Sequence, residues 1–450
     1  MSKTNAQAAN GPGLLEKWFH LSENNTTVRT EIVAGITTFM TMAYIIFVNP
    51  GIVSATGMPF EAVMYATVAS TVLATLLMAF LANYPIALAP GMGLNAYFTY
   101  TVVLGLGIPW QAALGAVFIS GIVFILLTLT KIREAIIDAV PSALKSAIGA
   151  GIGLFIAFIG LKNGGVIVEN PATFVSLASL KGGAPLLTLI GVLITGSLMA
   201  LRVRGAILWG IIGTAIVGIP MGVSVVPSGI VQAPHLSVWA PVLGKLDIGA
   251  ALAVGLLDIV FVFLFVDMFD TVGTLIGVAK QADFLDKDGK LPRARQALLA
   301  DSIGTIGGSF FGTPTVTSYI ESAAGVAAGG RTGLVGLVVS VCFLLSLFFT
   351  PLVKAVGDVG AVTAPALIIV GSLMIRAIVD INWTEASESI PAFIAMLAMP
   401  LTYSIATGIA LGFISYPLIK LCSGKGREVH WMVYLLAFLF ILRFALLPSV

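Results

Sequence analysis

GTPTVTSYIESAAG (312–325) is the stretch on which the architecture turns. Pro314 removes a backbone donor, and the β-branched run Thr315-Val316-Thr317 favours an extended path. A helix can restart near Ser318 or Tyr319, leaving unpaired N–H groups aimed into the protein. Glu321 then falls in the first turn, where the positive end of the helix stabilises negative charge. YPIALAPGMGLNAYF (84–98) repeats the pattern: an extended segment, a break at Pro90–Gly93, then a brief helix. Gly91 and Gly93 permit close backbone approach, and Asn95 offers amide hydrogen bonds. Two such half-helix N-termini facing one another form a polar pocket without any added charge.

Both stretches lie in a 450-residue chain that is 58% hydrophobic and 10% charged, with mean hydropathy +1.05. Soluble domains carry about 25% charged residues, so this composition describes a polytopic membrane protein. A net charge of +2 gives no reason to invoke nucleic acid. The 49 glycines suit close helix packing and broken helices. Asp267, Asp270 and Glu321 interrupt apolar stretches. An ionised carboxyl in a bilayer costs about 2.5–3.5 kcal/mol on insertion scales, so such residues usually line a substrate or ion path. Asp267 and Asp270 are spaced i, i+3 and share one helix face; FDTVGT (269–274) reads as a loosening of that helix just after Asp270. Asp267 fits a structural partner as well as a substrate or ion path, and Asp301, in LLADSIGTIGG, fits a brace from the next helix.

Apolar runs place spans at 31–48, 61–82, 91–106, 110–130, 141–161, 185–201 and 205–220. A second set runs 250–268, 296–311, 319–329, 333–353, 360–379, 389–402 and 404–421, with 430–448 either a further crossing or an interfacial helix. With a cytosolic N-terminus, eighteen of the 23 Lys and Arg fall inside and four outside, Lys3, Lys131 and Arg133 among the former. The fourteen spans divide into seven plus seven. An odd number per set inverts the second copy, and the third span of each set carries the matching break. The fold expected is an all-α polytopic membrane protein in which two broken spans contain short extended segments.

Other signals are weak. Cys342 and Cys422 fall in separate expected helices, which argues against a disulfide. The first 29 residues read as a cytosolic tail without the apolar core of a signal peptide. DKDGK (286–290) opens like a calcium loop but has glycine at the wrong position and is expected to be a solvated turn. His20, His235 and His430 are scattered, and no nucleophile, zinc or phosphate-loop motif is present. The chain is therefore expected to be no enzyme and to carry no metal or cofactor.

GITTFMTMAYIIFVNP (35–50), LAPGMGLNAYF (88–98), FDTVGTLIGVA (269–279), ADSIGTIGGSFFGTPTVTSYIESAAG (300–325) and GGRTGL (329–334) resemble the AzgA-like purine permeases. These are a branch of the nucleobase–cation symporter family, and the likeness covers about residues 14–448. The resemblance implies fourteen spans in a core and a gate: core over 30–130 and 249–355, gate over 131–248 and 356–422, between the 1–29 tail and a 423–450 C-terminal segment. It implies proton-coupled uptake of adenine, hypoxanthine or guanine by an elevator-like motion, in a homodimer in the inner membrane. Mapped onto this chain, it places the eighth-span acid at Asp270, the tenth-span acid at Glu321 and the ninth-span acid at Asp301. Where uracil-type members have a Gln-His pair, this chain has Thr37-Thr38, which implies a different hydrogen-bonding pattern.

The substrate-binding set expected is Asp270, Glu321, Asn95, Gly93, Leu94, Thr38, Ser322 and Tyr319, with Asp270, Glu321 and Asp267 coupling protons and Asp301 in support. Asp270 and Glu321 would accept N–H bonds from opposite edges of a flat base, and Tyr97 or Phe98 would stack on it or pack in the core. The alternatives are a xanthine, uracil or anion carrier of the same architecture, or a nucleobase channel or receptor.

Overall fold

A computed structural model describes residues 13–130, 139–253, 257–287 and 290–446. Lys3, Lys131, Arg133 and the middle of the DKDGK turn lie outside the described residues, as do the first twelve residues of the N-terminal tail. Among the described residues nine helices are long and apolar enough to cross a membrane, from Val28–Thr56 to Ile405–Cys422. Ala206–Gly218, Ala386–Leu401 and Trp431–Ala445 are shorter apolar helices. The expected mostly helical, multi-span membrane protein is what is found.

Local chemistry sets the helix ends. Val28–Met42 begins at Thr27, whose side chain accepts from Thr30 N. Glu31, in its first turn, is fully buried. Its carboxylate accepts from Thr26 Oγ1 (2.8 Å), Arg331 N (2.8 Å), Thr332 N (3.2 Å) and Thr332 Oγ1 (2.7 Å). That satisfied charge ties the first helix to the GGRTGL loop. Arg331 Nη1 in turn donates to the carbonyls of Val326 and Gly330 at 2.8 Å, closing the C-terminal end of the Ser322–Ala327 half-helix. At the other end of the chain, Lys420 is almost fully buried and sits 3.4 Å from both Glu388 and Glu428. Lys425 and Ser387 hold the neighbouring Glu385 carboxyl down to about 2. The Trp431–Leu446 helix then packs through Phe440 on Phe413 and Phe261.

At the centre two strands cross. β1 (Leu88–Pro90) pairs antiparallel with β4 (Val316–Ser318) in the register Leu88↔Ser318, Ala89↔Thr317, Pro90↔Val316. Gly91 N donates to Thr315 O and Tyr319 N to Ala87 O, both at 3.0 Å, extending the ladder at either end. The outer edges are closed by matching hydroxyls. Thr75 Oγ1 bonds both Leu88 N and Leu88 O at 3.0 Å, and Thr305 Oγ1 bonds Val316 N at 3.2 Å and Val316 O at 3.1 Å. Thr305→Val therefore strands a buried N–H and C=O at about 1–3 kcal/mol each. A clear drop in the melting temperature of the purified protein is expected; an unchanged value refutes the brace.

Three expectations need correction. First, the chain is not purely helical. Besides the central strands, β2 (Ile167–Asn170) and β3 (Phe174–Leu177) form a hairpin, for which Asn170 Oδ1 accepts from Ala172 N and Thr173 N to make the turn. Second, the helix bearing Asp270 does not loosen at Thr271–Gly273. It runs unbroken over Leu257–Gln281, well past the end expected at 268. One exposed glycine costs a helix only about 1 kcal/mol, and buried Leu275, Val278 and Ala279 hold the turns beyond it. Third, the second half-helix restarts at Ser322 rather than 318–319, with Glu321 as its cap residue. Tyr319 N is engaged by Ala87 O, so the extended path runs further than the β-branched run alone predicts.

Candidate substrate site

Asp270 and Glu321 come together beside the strand crossing, within electrostatic range of each other. Tyr44 and Tyr319 lie within the same range of both carboxylates, so two acids and two phenols form one cluster. Tyr44 Oη donates to Glu321 Oε1 at 2.5 Å. Thr317 is a neighbour of Asp270, and its Oγ1 lies 3.0 Å from Thr271 Oγ1. Gly91 closes the group from the first half: a Cβ there would stand 2.8 Å from Thr317 Cγ2 and 3.9 Å from Asp270 Oδ2. The cluster thus draws on the first helix, both broken segments and the Leu257–Gln281 helix.

The other expected residues divide by what already holds them. Tyr319 Oη donates to Pro90 O at 2.6 Å, and Ser322 Oγ accepts from Ala87 N at 3.0 Å, so both knit the crossing together. Asn95 is fully buried; its Nδ2 donates to Asn49 Oδ1 at 2.5 Å, and Asn49 Nδ2 continues to Thr67 and Thr313. Asn95 Oδ1 takes no hydrogen bond from the described residues and is free to accept one. Leu94 is core. Gly93 faces Ile152, whose Cγ2 would be 2.6 Å from an added Cβ. Thr38 is buried where Gly325 of the half-helix abuts it, and Thr41 instead reaches the Glu321 carbonyl, at 3.3 Å. Tyr97 packs edge-on against Phe263, and Phe98 is also wholly inside the core. Asp267 and Asp301 are buried on neighbouring helices, Asp301 accepting from Thr271 Oγ1 at 2.8 Å.

From Asp270 an exposed face continues along the same helix through Gly273 and Gly277 to Lys280 and Gln281, flanked by Ile320 at 51% exposure. On the opposite side Ile152 and Ile156 lie over Gly93. Beyond them Tyr403 packs edge-on against Tyr100, Phe155 and Phe158, with the Lys162 ammonium 4.8 Å above its ring. Two half-buried acids, with no basic side chain hydrogen-bonded to either among the described residues, suit a ligand that donates hydrogen bonds.

Residues 29–411 match the model described as the Permease family. The chain belongs to that family. Its relatives are transport proteins, so the expectation of no enzyme holds. A guanine/hypoxanthine permease of Bacillus subtilis is 49% identical over 432 residues, covering 95% of this chain and 100% of that one. The adenine permease of Escherichia coli is 44% identical over 449 residues, covering 100% of both. Among solved structures, the transmembrane domain of a cyanobacterial bicarbonate transporter superposes with a TM-score of 0.62 at 16% identity, covering 84% of this chain and 96% of that domain. At that identity the likeness is one of fold.

Sequence reading passed over Tyr44 and Thr41. Both stand inside GITTFMTMAYIIFVNP, and a hydroxyl-bearing side chain in an apolar helix was the available signal. Thr271 and Thr317 were likewise read only for backbone preference.

Proposed function

We propose that this permease imports purine nucleobases (adenine, hypoxanthine or guanine) together with protons. The observation that carries this reading is the Asp270–Glu321 pair at the strand crossing, in a full-length relative of permeases named for guanine, hypoxanthine and adenine. A purine is flat and neutral, with N–H groups on more than one edge. Asp270 and Glu321 accept them, each bond worth about 1.5–3 kcal/mol when one partner is charged. Asn95 Oδ1 supplies another acceptor if the site shifts toward it. Gly93, Leu94, Thr38, Ser322 and Tyr319 shape and brace the pocket, and Asp267 and Asp301 support the acids.

Coupling follows from desolvation. A carboxylate that loses its water during closure becomes an expensive buried charge unless it takes up a proton. Each positive charge carried inward gains about 2.3 kcal/mol per 100 mV. The motion is an elevator: the core (30–130 and 249–355) slides against the gate (131–248 and 356–422).

Fourteen spans accommodate the helices. To the nine long ones are added Ala206–Gly218, Ala294–Phe311, Ala386–Leu401 and the two broken segments around β1 and β4. The matched Thr75 and Thr305 braces support an inverted repeat of seven spans. With the N-terminus in the cytoplasm and the chain in the inner membrane, as a homodimer, the exposed Gly273–Gln281 face opens inward and the Tyr403 cluster closes the outside.

Proteoliposomes test this directly. Unlabelled adenine inside should accelerate entry of labelled adenine, and an imposed inward proton gradient should drive accumulation that a protonophore abolishes. Accumulation that survives the protonophore refutes proton coupling. Failure of trans-stimulation refutes a carrier and favours a channel or receptor.

A further inference from the structure

A row of hydrogen bonds ends at Asn95, and it has a direction. Thr67 Oγ1 donates to Val63 O at 2.7 Å. A carbonyl can only accept, so the one hydroxyl proton of Thr67 is committed there, and its Oγ1 meets Asn49 as an acceptor. Asn49 Nδ2 donates to it at 2.8 Å and to Thr313 Oγ1 at 3.0 Å, which uses both amide protons. The Asn49 carbonyl oxygen is thereby turned the other way, where it accepts from Asn95 Nδ2 at 2.5 Å. Asn95 is left with its own Oδ1 buried and without a hydrogen bond from the described residues.

Thr67, Asn49, Thr313 and Asn95 are all fully buried. They belong to four segments: Phe60–Leu77, Ile45–Val53, the approach to β4, and the Met92–Ala96 half-helix. The far end of the row adjoins the acid pair. Asn95 N donates to Gly91 O at 2.9 Å, one turn on from the glycine whose added Cβ would stand 3.9 Å from Asp270 Oδ2. Tyr44, which holds Glu321, caps the same helix that carries Asn49. A buried oxygen without a donor forfeits the hydrogen bond it had in water, and beside a substrate site the missing donor is one that comes and goes.

We propose that Asn49, held by Thr67, sets the polarity of the Asn95 amide, so that the purine edge meeting Asn95 is read for an amino group in preference to an oxo group. Asn49 and Thr67 do not touch substrate; they are positioning residues. Turning both amides over would offer the Asn95 N–H groups instead and favour an oxo group. That reversal sets Asn49 Oδ1 against Thr67 Oγ1, and the hydroxyl must abandon Val63 O to meet it. Thr313 has no such commitment to a carbonyl and serves either setting, so the choice rests on Thr67. One hydrogen bond of this kind is worth about fivefold in the preference. The inference rests on the purine uptake proposed above and adds how the site tells one purine from another.

The test compares bases that exchange amino for oxo at one ring position: adenine against hypoxanthine, and guanine against xanthine. Dissociation constants are measured by calorimetry on the full-length protein for wild type, Thr67→Val and Thr67→Ser. Thr67→Val keeps the volume and removes the hydroxyl that faces Asn49, so in at least one pair the affinity ratio is expected to move about fivefold toward the oxo base. Thr67→Ser, which restores the hydroxyl, should return the wild-type ratio. A purely structural role weakens all four bases together and leaves both ratios in place. That result overturns the inference, as does a shift toward the amino base or a Ser variant that behaves like Val. Should Thr67→Val fail to fold, Thr67→Ala removes the same hydroxyl without adding a methyl and is read by the same ratios. A wild type that binds none of the four bases overturns the purine reading, and this inference with it.

Discussion

Glu321→Gln is expected to lower net purine uptake about tenfold or more while leaving the protein folded. The substitution is isosteric, and the Gln carbonyl can still accept the 2.5 Å hydrogen bond from Tyr44, so the crossing keeps its shape. What goes is the charge, and with it a substrate bond worth about 1.5–3 kcal/mol and the site's capacity to take up a proton. Initial rates of labelled purine uptake, alongside melting curves of the same preparations, read the two effects separately. Tyr44→Phe removes one hydroxyl from the same carboxylate and leaves its charge, so a smaller, several-fold loss is expected. Full activity in the Gln variant would remove Glu321 from the mechanism.

Gly93→Ala should be nearly as damaging, for a steric reason. Its methyl would stand 2.6 Å from Ile152 Cγ2, on the helix Ser142–Asn163 that covers the first half-helix. Overpacking of this kind costs about 1–3 kcal/mol. If the two helices belong to bodies that slide past one another, that cost is felt as slower transport more than as unfolding. Ile152→Ala removes the clashing atom. The double variant should recover most of the lost rate, and the coupling energy between the sites measures the contact. A double variant as slow as Gly93→Ala alone would show that the glycine serves something other than clearance.

Much of this site was legible from residues whose covalent chemistry dictates backbone path. Pro314, Pro90 and the run Thr315-Val316-Thr317 mark the two extended segments, and Asp270 and Glu321 stand out because an acid in an apolar run needs a reason. What escaped depends on partners far along the chain. Tyr44 looks like any aromatic in an apolar helix until Glu321 is set beside it. Thr75 and Thr305 reveal themselves only against the strand edges they cover. Ser322 and Tyr319, expected to meet substrate, also knit the crossing through Ala87 N and Pro90 O, contacts that only the paired strands reveal. The supposed loosening at Thr271–Gly273 failed because a lone glycine is tolerated where its neighbours are well packed.

The strand pairing also constrains how the molecule is made. Leu88 meets Ser318, and Ala89 meets Thr317, so β1 leaves the ribosome long before its partner exists. Backbone amides without partners are poorly tolerated in hydrocarbon. Until the second half arrives, the Thr75 hydroxyl can hold the N–H and C=O of Leu88, but Gly91 N still waits for Thr315 O. Biogenesis of the nascent N-terminal half therefore stays incomplete, a dependent of the insertion machinery or of surrounding water, until translation has delivered the whole of 312–325.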